Sequence, residues 1–118
     1  MERLKGDNLG KRVICVSWNP SLSLTRQILL GHLGCRVVSA LGRSEALQSC
    51  RETADLLVIG HSVPADEKRA VIRCFREHSN APVLSLITTG QDKLPEANYA
   101  VESSDPAQFI HTVSSILR

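Results

Sequence analysis

The chain has 118 residues, of which 42% are apolar, 22% charged and 3% aromatic. One domain of this length can bury about two thirds of its unfolded surface, so its core needs no metal or disulfide. The net charge of +2 and the few aromatic residues argue against nucleic acid as a partner. No stretch reaches the roughly 18 apolar residues of a membrane span, and no signal-peptide pattern is present, which predicts a cytoplasmic protein without a membrane partner.

Polar residues 1–10 are predicted to form a flexible N-terminus that precedes a single domain over residues 11–118. The four cysteines are well separated and include no CxxC pair: Cys15, Cys35, Cys50 and Cys74. Zinc sites and redox motifs usually contain close pairs of ligands or thiols, so neither kind of site is indicated. We expect four free thiols and no metal site.

Three continuous apolar runs predict strands that are buried on both faces. They are residues 13–16 (VICV), 56–59 (LLVI) and 83–87 (VLSLI). Runs without polar alternation are typical of parallel sheets. The weaker runs at 37–38 and 99–101 fit edge strands.

Four helical segments separate or follow these strands. The first begins at Asn19-Pro20, which resembles a capped helix start, and ends before Gly34. A short helix follows Ser44, a third follows Pro64, and the last begins at Asp105-Pro106. The order predicts a doubly wound α/β sheet, whose ligands bind at the carboxyl ends of the strands.

The loop after the first strand excludes the common nucleotide-binding motifs. Residues 17–21 (SWNPS) contain no glycine, so the backbone cannot approach a pyrophosphate closely, and no P-loop pattern occurs. No cofactor is therefore predicted.

Five local motifs, in order along the chain, resemble the CheY-like receiver domain of two-component response regulators. They lie at residues 12–22, 34–40, 44–47, 55–64 and 99–106. The resemblance covers about residues 11–118 and implies a five-stranded sheet of order 2-1-3-4-5.

The residues that carry the family's chemistry are replaced in this chain. By the resemblance, Ser17 and Trp18 stand where the family has its magnesium-binding acidic pair, and Gly60 stands at the phosphorylated aspartate. Glu102 falls at the position of the conserved lysine. Carboxylate oxygens are the ligands that Mg²⁺ requires, so we expect a degenerate pocket in which Trp18 fills the vacated space.

Two further positions of the family pattern lie on the last two strands. The hydroxyl residue that closes the fourth strand falls on Ile87, or on Thr88 if the register differs by one residue. Tyr99 keeps the aromatic switch position of the fifth strand.

Single residues at the same strand ends suggest other classes of function. Cys15 suggests a cysteine-dependent phosphatase or phosphotransfer enzyme, but it lies inside an apolar run and no arginine closes a loop after it. A small-ligand sensor or enzyme could instead use the cleft around Trp18, His61 and Glu102. We expect no enzymatic activity and keep this cleft as the alternative.

The connection after the fourth strand is too short for a complete fourth helix. Residues 87–98 include Gly90 and Pro95 and leave space for at most one turn near 91–94. We therefore expect Leu84, Leu86 and Tyr99 to be partly exposed, with Leu94 folding back over them. The predicted interaction face comprises Leu94, Tyr99, Gln108, His111, Thr112 and Ser115.

These expectations together describe a pseudo-receiver that works by binding proteins. By the resemblance it acts in two-component phosphorelay signalling in a bacterial cytoplasm. Its partner is a sensor kinase, a regulator or a second copy of the chain, which would form a homodimer.

Overall fold

A computed structural model describes residues 10–118, and the predicted flexible segment 1–10 falls, apart from Gly10, outside the described residues. Strands and helices alternate until the last connection, in the predicted order. They are β1 (Arg12–Ser17), α1 (Pro20–His32), β2 (Arg36–Leu41), α2 (Gly42–Ser49), β3 (Leu56–Ile59), α3 (Ala65–Arg76), β4 (Val83–Ile87), β5 (Tyr99–Glu102) and α4 (Pro106–Leu117).

The five strands form one parallel sheet of order β2-β1-β3-β4-β5, which confirms the predicted fold class and strand order. Strands β3 and β4 are buried at every residue, and β1 at every residue after Arg12. Burial of both faces explains why these strands are continuous apolar runs in the sequence.

Helices cover both faces of the sheet and divide the core into two clusters. On one face, Ile14, Leu57 and Ile59 pack with residues of α2 and α3, among them Phe75. On the other face, Val13 and Val58 pack with residues of α1 and α4, which include Leu30, Phe109 and Val113.

Local sequence determines where the helices begin. The Asn19 side chain accepts a hydrogen bond from the Leu22 backbone N–H at 3.1 Å and caps α1. Asp105 caps α4 in the same way, by accepting from Gln108 N at 2.9 Å. Helix α2 begins at Gly42, two residues before Ser44, because a backbone φ of +86° turns the chain directly out of β2.

The segment between β4 and β5 contains turns and no helix, as predicted from its length. Gln91 N donates to Thr88 O at 3.0 Å, and Ala97 N donates to Leu94 O at 3.1 Å. These two turns replace the fourth crossover helix.

The predicted exposure of the sheet around β4 is largely wrong. Leu84 and Leu86 are buried in the cluster that α1 and α4 cover. Leu94 is also buried, but it packs in the opposite cluster, on the α2 and α3 side, so it cannot cover them. Tyr99 alone of these residues is exposed, with 45% of its surface accessible.

All four cysteines are free, as predicted, and three of them are buried. Within residues 10–118, no helix combines the length and apolar character needed to cross a bilayer.

Candidate functional site

The carboxyl ends of β1 and β3 bring three of the predicted pocket residues together. Gly60 N donates to Val16 O at 2.8 Å, which continues the pairing of the two strands. Ser62 Oγ accepts from Trp18 N at 3.0 Å and lies 3.3 Å from Ser17 Oγ. These hydrogen bonds fix the two loops to each other, so Ser17, Trp18 and Gly60 lie at one edge of the sheet.

The carboxyl ends of β4 and β5 supply the other predicted pocket residues. Ile87 is buried and pairs in register with Glu102. The Glu102 side chain is exposed and accepts a hydrogen bond from Thr89 Oγ1 at 3.3 Å. Thr88 is half-buried, and its backbone N–H donates to Gln91 Oε1 at 3.0 Å. The Glu102 carboxylate is therefore engaged with the 88–98 segment.

An arginine of α1 occupies the space beside Gly60. Arg26 is 5% exposed, and a Cβ built on Gly60 would overlap Arg26 Nη1 and lie 3.4 Å from its Cζ. Arg26 Nη2 lies 3.3 Å from His61 Nδ1, while Nη1 has no hydrogen-bond partner within residues 10–118. The guanidinium, and not Trp18 as expected, fills the position next to Gly60; Trp18 packs against the core cluster of α2 and α3.

A lysine of α3 reaches the same edge from the other face of the sheet. Lys68 is 3% exposed, and its Nζ donates to Ser85 Oγ and to Leu86 O, both at 2.8 Å. Burial, and to a smaller extent the charge of Arg26, lowers the pKa of Lys68 from 10.5 to about 8. Arg26 and Lys68 thus lie on helices that cover opposite faces of the sheet.

The electric field of these cations acts on the neighbouring groups. Burial first, and then Arg26 and Lys68, lower the pKa of His61, so the imidazole is neutral at pH 7. Because a guanidinium can only donate, Nδ1 is the acceptor in the contact with Arg26 Nη2, and the ring proton is on Nε2. Burial raises the pKa of Cys15 to about 11 in spite of Arg26, which leaves it a protonated thiol and a poor nucleophile.

These residues do not fit Mg²⁺, which the fold family uses at this edge. Gly60, Ser17 and Trp18 offer no carboxylate, and the buried guanidinium of Arg26 lies against Gly60, where a metal would need anionic oxygen ligands. Across residues 10–118, no group of three or more His, Cys, Asp or Glu side chains could hold a metal ion.

Arg26 and Lys68 belong to no sequence motif that predicts the site, although their helical spacing contains a signal. Arg26 follows Leu22 by four residues and precedes Leu29 by three, so it belongs to the inward stripe of α1. Lys68 lies four residues before Ile72, on the apolar stripe of α3. A charged residue within an apolar stripe indicates either a buried hydrogen-bond partner or a functional site.

No protein-family model matches the chain, and no curated protein matches it. Solved structures of the same fold do match. A CheY-like receiver domain from Methylobacillus flagellatus is 17% identical, with a TM-score of 0.77, and the match covers 91% of this chain and 98% of that one.

Two other receiver domains match at similar levels. The receiver domain of a sensor histidine kinase from Pseudomonas aeruginosa, with magnesium in its active-site cleft, is 18% identical with a TM-score of 0.76, over 92% of this chain and 98% of that one. One from Bacillus halodurans is 19% identical with a TM-score of 0.73, over 92% and 97%. At this identity the likeness establishes the fold, which is that of CheY-like receiver domains.

Proposed function

We propose that this chain is a degenerate receiver domain that binds protein partners in two-component phosphorelay signalling without being phosphorylated, in a bacterial cytoplasm. The observation that carries the proposal is the position of Arg26, whose guanidinium lies against Gly60 at the place of the family's acceptor aspartate. A receiver fold that has lost its acceptor retains surfaces for partners.

The residues at the strand ends support the loss of phosphotransfer. Gly60 has no side chain to accept a phosphoryl group, and no carboxylate beside it could hold Mg²⁺. Glu102, at the position of the family's lysine, would repel a phosphoryl group. On these grounds the domain has no catalytic activity of its own.

The exposed surface formed by Tyr99 and the polar side of α4 is the proposed interaction face. Tyr99 begins the edge strand β5 and is 45% exposed. Tyrosines are enriched in protein interfaces because they combine a large apolar ring with a polar tip. The residues of α4 on this face are exposed or half-buried: Gln108, His111, Thr112 and Ser115. Leu94 is buried and does not belong to it.

The partner is a sensor kinase, a regulator or a second copy of the chain. One solved structure of this fold belongs to a sensor histidine kinase, which shows that the fold occurs within kinases as well as regulators. Pull-down with the full chain from its host identifies the partner, and sedimentation reports self-association.

Titration of the identified partner tests the proposal. Affinity should be the same with and without acetyl phosphate and Mg²⁺, because the chain has no acceptor for the phosphoryl group. Tyr99→Arg should weaken binding by about ten-fold or more, as truncated hot-spot residues do. Ile28→Arg, an exposed apolar position on α1, is the matched control.

Two outcomes contradict the proposal. Binding that requires the phosphodonor would show that phosphorylation still controls the domain. Loss of binding in Ser17→Asp or Gly60→Asp, with Tyr99→Arg unaffected, would place the interface at the strand ends.

A further inference from the structure

Strand β2 forms one edge of the sheet, and within residues 10–118 no strand pairs with its outer side. Arg36 N donates to the backbone carbonyl just before β1 at 2.7 Å, so the amide of Arg36 points into the sheet. Because successive amides of a strand point to opposite sides, those of Val37, Ser39 and Leu41 point out of the sheet. The N–H and C=O groups of Val37 and Ser39 are therefore available to another strand.

This edge lacks the features that usually prevent pairing with another chain. Proteins protect such edges with proline, bulges, several charges or a covering loop. The sequence of β2, RVVSAL, contains no proline, and all six residues pair with β1 in one continuous register. Its single charged residue, Arg36, stands at the start of the strand. Strand addition at this edge is thus open along the rest of its length.

The helix over this edge has an uncharged outer surface. Ser39 Oγ donates to Gln27 Oε1 at 3.2 Å, which places Gln27 on the side of α1 next to β2. Leu24 and Gly31 lie on the same stripe, three residues before and four after it, and Leu24 is 58% exposed. Arg26 is the only arginine of α1 and is buried, so the exposed residues of α1 include no Asp, Glu, Lys or Arg. Depletion of charge is typical of the core of protein interfaces.

The free amides fit a second copy of the same strand. Two antiparallel copies of β2 related by a two-fold axis at Val38 place Val37 of each copy opposite Ser39 of the other. Each of these pairs can exchange two N–H···O bonds, and all the groups involved point out of the sheet.

Axes one residue to either side of Val38 would need amides that are already occupied. Leu41 N donates to Glu45 Oε1 at 2.8 Å, and Cys35 N donates to Leu30 O at 3.2 Å. The axis at Val38 is therefore the arrangement in which the chain's own free groups satisfy one another.

We propose that the chain forms a two-fold dimer in which β2 pairs antiparallel with β2 of a second copy about Val38, so that the two sheets become one. In this register Arg36 lies opposite Ala40 of the second copy, and no charge faces a like charge. The axis runs perpendicular to the sheet, so the two copies of α1 lie on the same face, and their uncharged surfaces meet without repulsion.

The size of this face predicts a weak dimer. Six residues of β2 and 13 residues of α1 each extend about 20 Å. A single strand and a single helix of this length lie near the low end of protein interfaces, which is about 1,200 Å² in total. We therefore expect monomer and dimer to exchange, with the dimer favoured at high protein concentration.

Sedimentation equilibrium of the full chain, from micromolar to millimolar concentration, tests the proposal. The average mass should rise from that of a monomer toward twice that value. Ser39→Pro removes the outward N–H at a position where edge strands accept proline, and should raise the dissociation constant about ten-fold or more. Ser39→Ala is the matched control, because it loses the same hydroxyl but keeps the N–H. Equal dissociation constants in the two variants, or a monomer at every concentration, would overturn the proposal.

A second pair of variants tests the contribution of α1. Leu24→Arg places a positive charge beside its symmetry copy and should also weaken the dimer about ten-fold or more. Tyr99→Arg makes the same change at an exposed position of the opposite edge strand and should leave the dimer unchanged. Loss of the dimer in Tyr99→Arg, with Leu24→Arg unaffected, would place self-association at the other edge and overturn the proposal.

Amide hydrogen exchange of the wild type needs no variant to fold. The Val37 and Ser39 amides should exchange more slowly as the dimer fills, while the amides of β5, at the opposite edge, serve as internal controls. Equal slowing at both edges, or none at β2, would contradict strand pairing. Failure here leaves the proposed function intact, because that function rests on the Tyr99 surface and on the loss of phosphorylation.

Discussion

Lys68 should make the stability of the fold depend on alkaline pH. Burial lowers its pKa from 10.5 to about 8 in the folded protein, while in the unfolded chain the side chain is exposed and titrates near its usual value of about 10.4. Between these two values the unfolded chain binds more protons than the folded one. The stability contributed through Lys68 therefore rises with pH across this window, and the cost of its charged form is fully present below pH 8.

The magnitude follows from the two pKa values. Each pKa unit is equivalent to about 1.4 kcal/mol, so the change from 10.5 to about 8 corresponds to about 3 kcal/mol. Lys68 is 3% exposed, so solvent screens this cost little. About 2 kcal/mol of the total should appear between about pH 7 and about pH 9.5.

The assay compares urea unfolding of the wild type with that of Lys68→Met over this pH range. The variant also loses the hydrogen bonds to Ser85 and Leu86 O, but that loss does not vary with pH. The charged groups nearest the site, Arg26 and His61, are present in both proteins, so their titration largely cancels. The free energy of unfolding of the wild type should rise by about 2 kcal/mol relative to the variant.

Lys93→Met, at an exposed position of the 88–98 segment, is the matched control and should follow the wild type. A difference between wild type and Lys68→Met that stays constant with pH would refute the reasoning. It would mean that Lys68 titrates like an exposed lysine and that burial does not destabilise its charged form.

Three other predictions concern the same pocket, the thiols and the helix-free segment. Gly60→Asp places a carboxylate beside Arg26, so this variant should be about 1–3 kcal/mol more stable than Gly60→Asn at pH 7. The difference should disappear when the carboxylate is protonated at acid pH, and equal stabilities at pH 7 would contradict the position of the Arg26 guanidinium beside Gly60. Thiol titration should find four reactive groups in denaturant, and finding two would indicate a disulfide. Under native conditions Cys74 should react first, because burial raises the pKa of Cys15 to about 11 and that of Cys50 to about 12. Leu94→Ala should cost about 2–3 kcal/mol in urea unfolding, because the side chain is buried against the α3 side of the core, and a cost near zero would show that this segment does not cover the sheet.

The fold could be predicted from the sequence because its signals are local and agree with one another. The apolar run of β3 predicts both the strand and the burial of its two faces. Asn19 and Pro20 indicate where α1 begins. The shortness of the segment after Ile87 correctly predicted that no helix connects β4 to β5. In contrast, the exposure of Leu84 and Leu86 depended on how α1 and α4 cover the sheet, which no local pattern specifies.

For the candidate site, the sequence predicts only which side chains are absent. The replaced residues at Ser17, Trp18 and Gly60 are visible in the sequence once the strands are placed. The residues that fill the vacated space are not, because Arg26 and Lys68 reach it from two helices far apart in the chain. Charged side chains are mostly exposed, so helical spacing alone does not place these two at the strand ends, and their positions require the tertiary structure.

The measurement that tests the central claim most directly is the intact mass of the chain after incubation with acetyl phosphate and Mg²⁺. A receiver domain that retains its acceptor aspartate serves as the positive control and should gain a hydroxylamine-labile phosphoryl group. Because Gly60 offers no carboxylate and the Arg26 guanidinium lies against it, this chain should keep its unmodified mass throughout. A hydroxylamine-labile phosphoryl adduct on this chain would contradict the account, since it would show that another carboxylate accepts the group and that the domain is still a phosphorylated receiver.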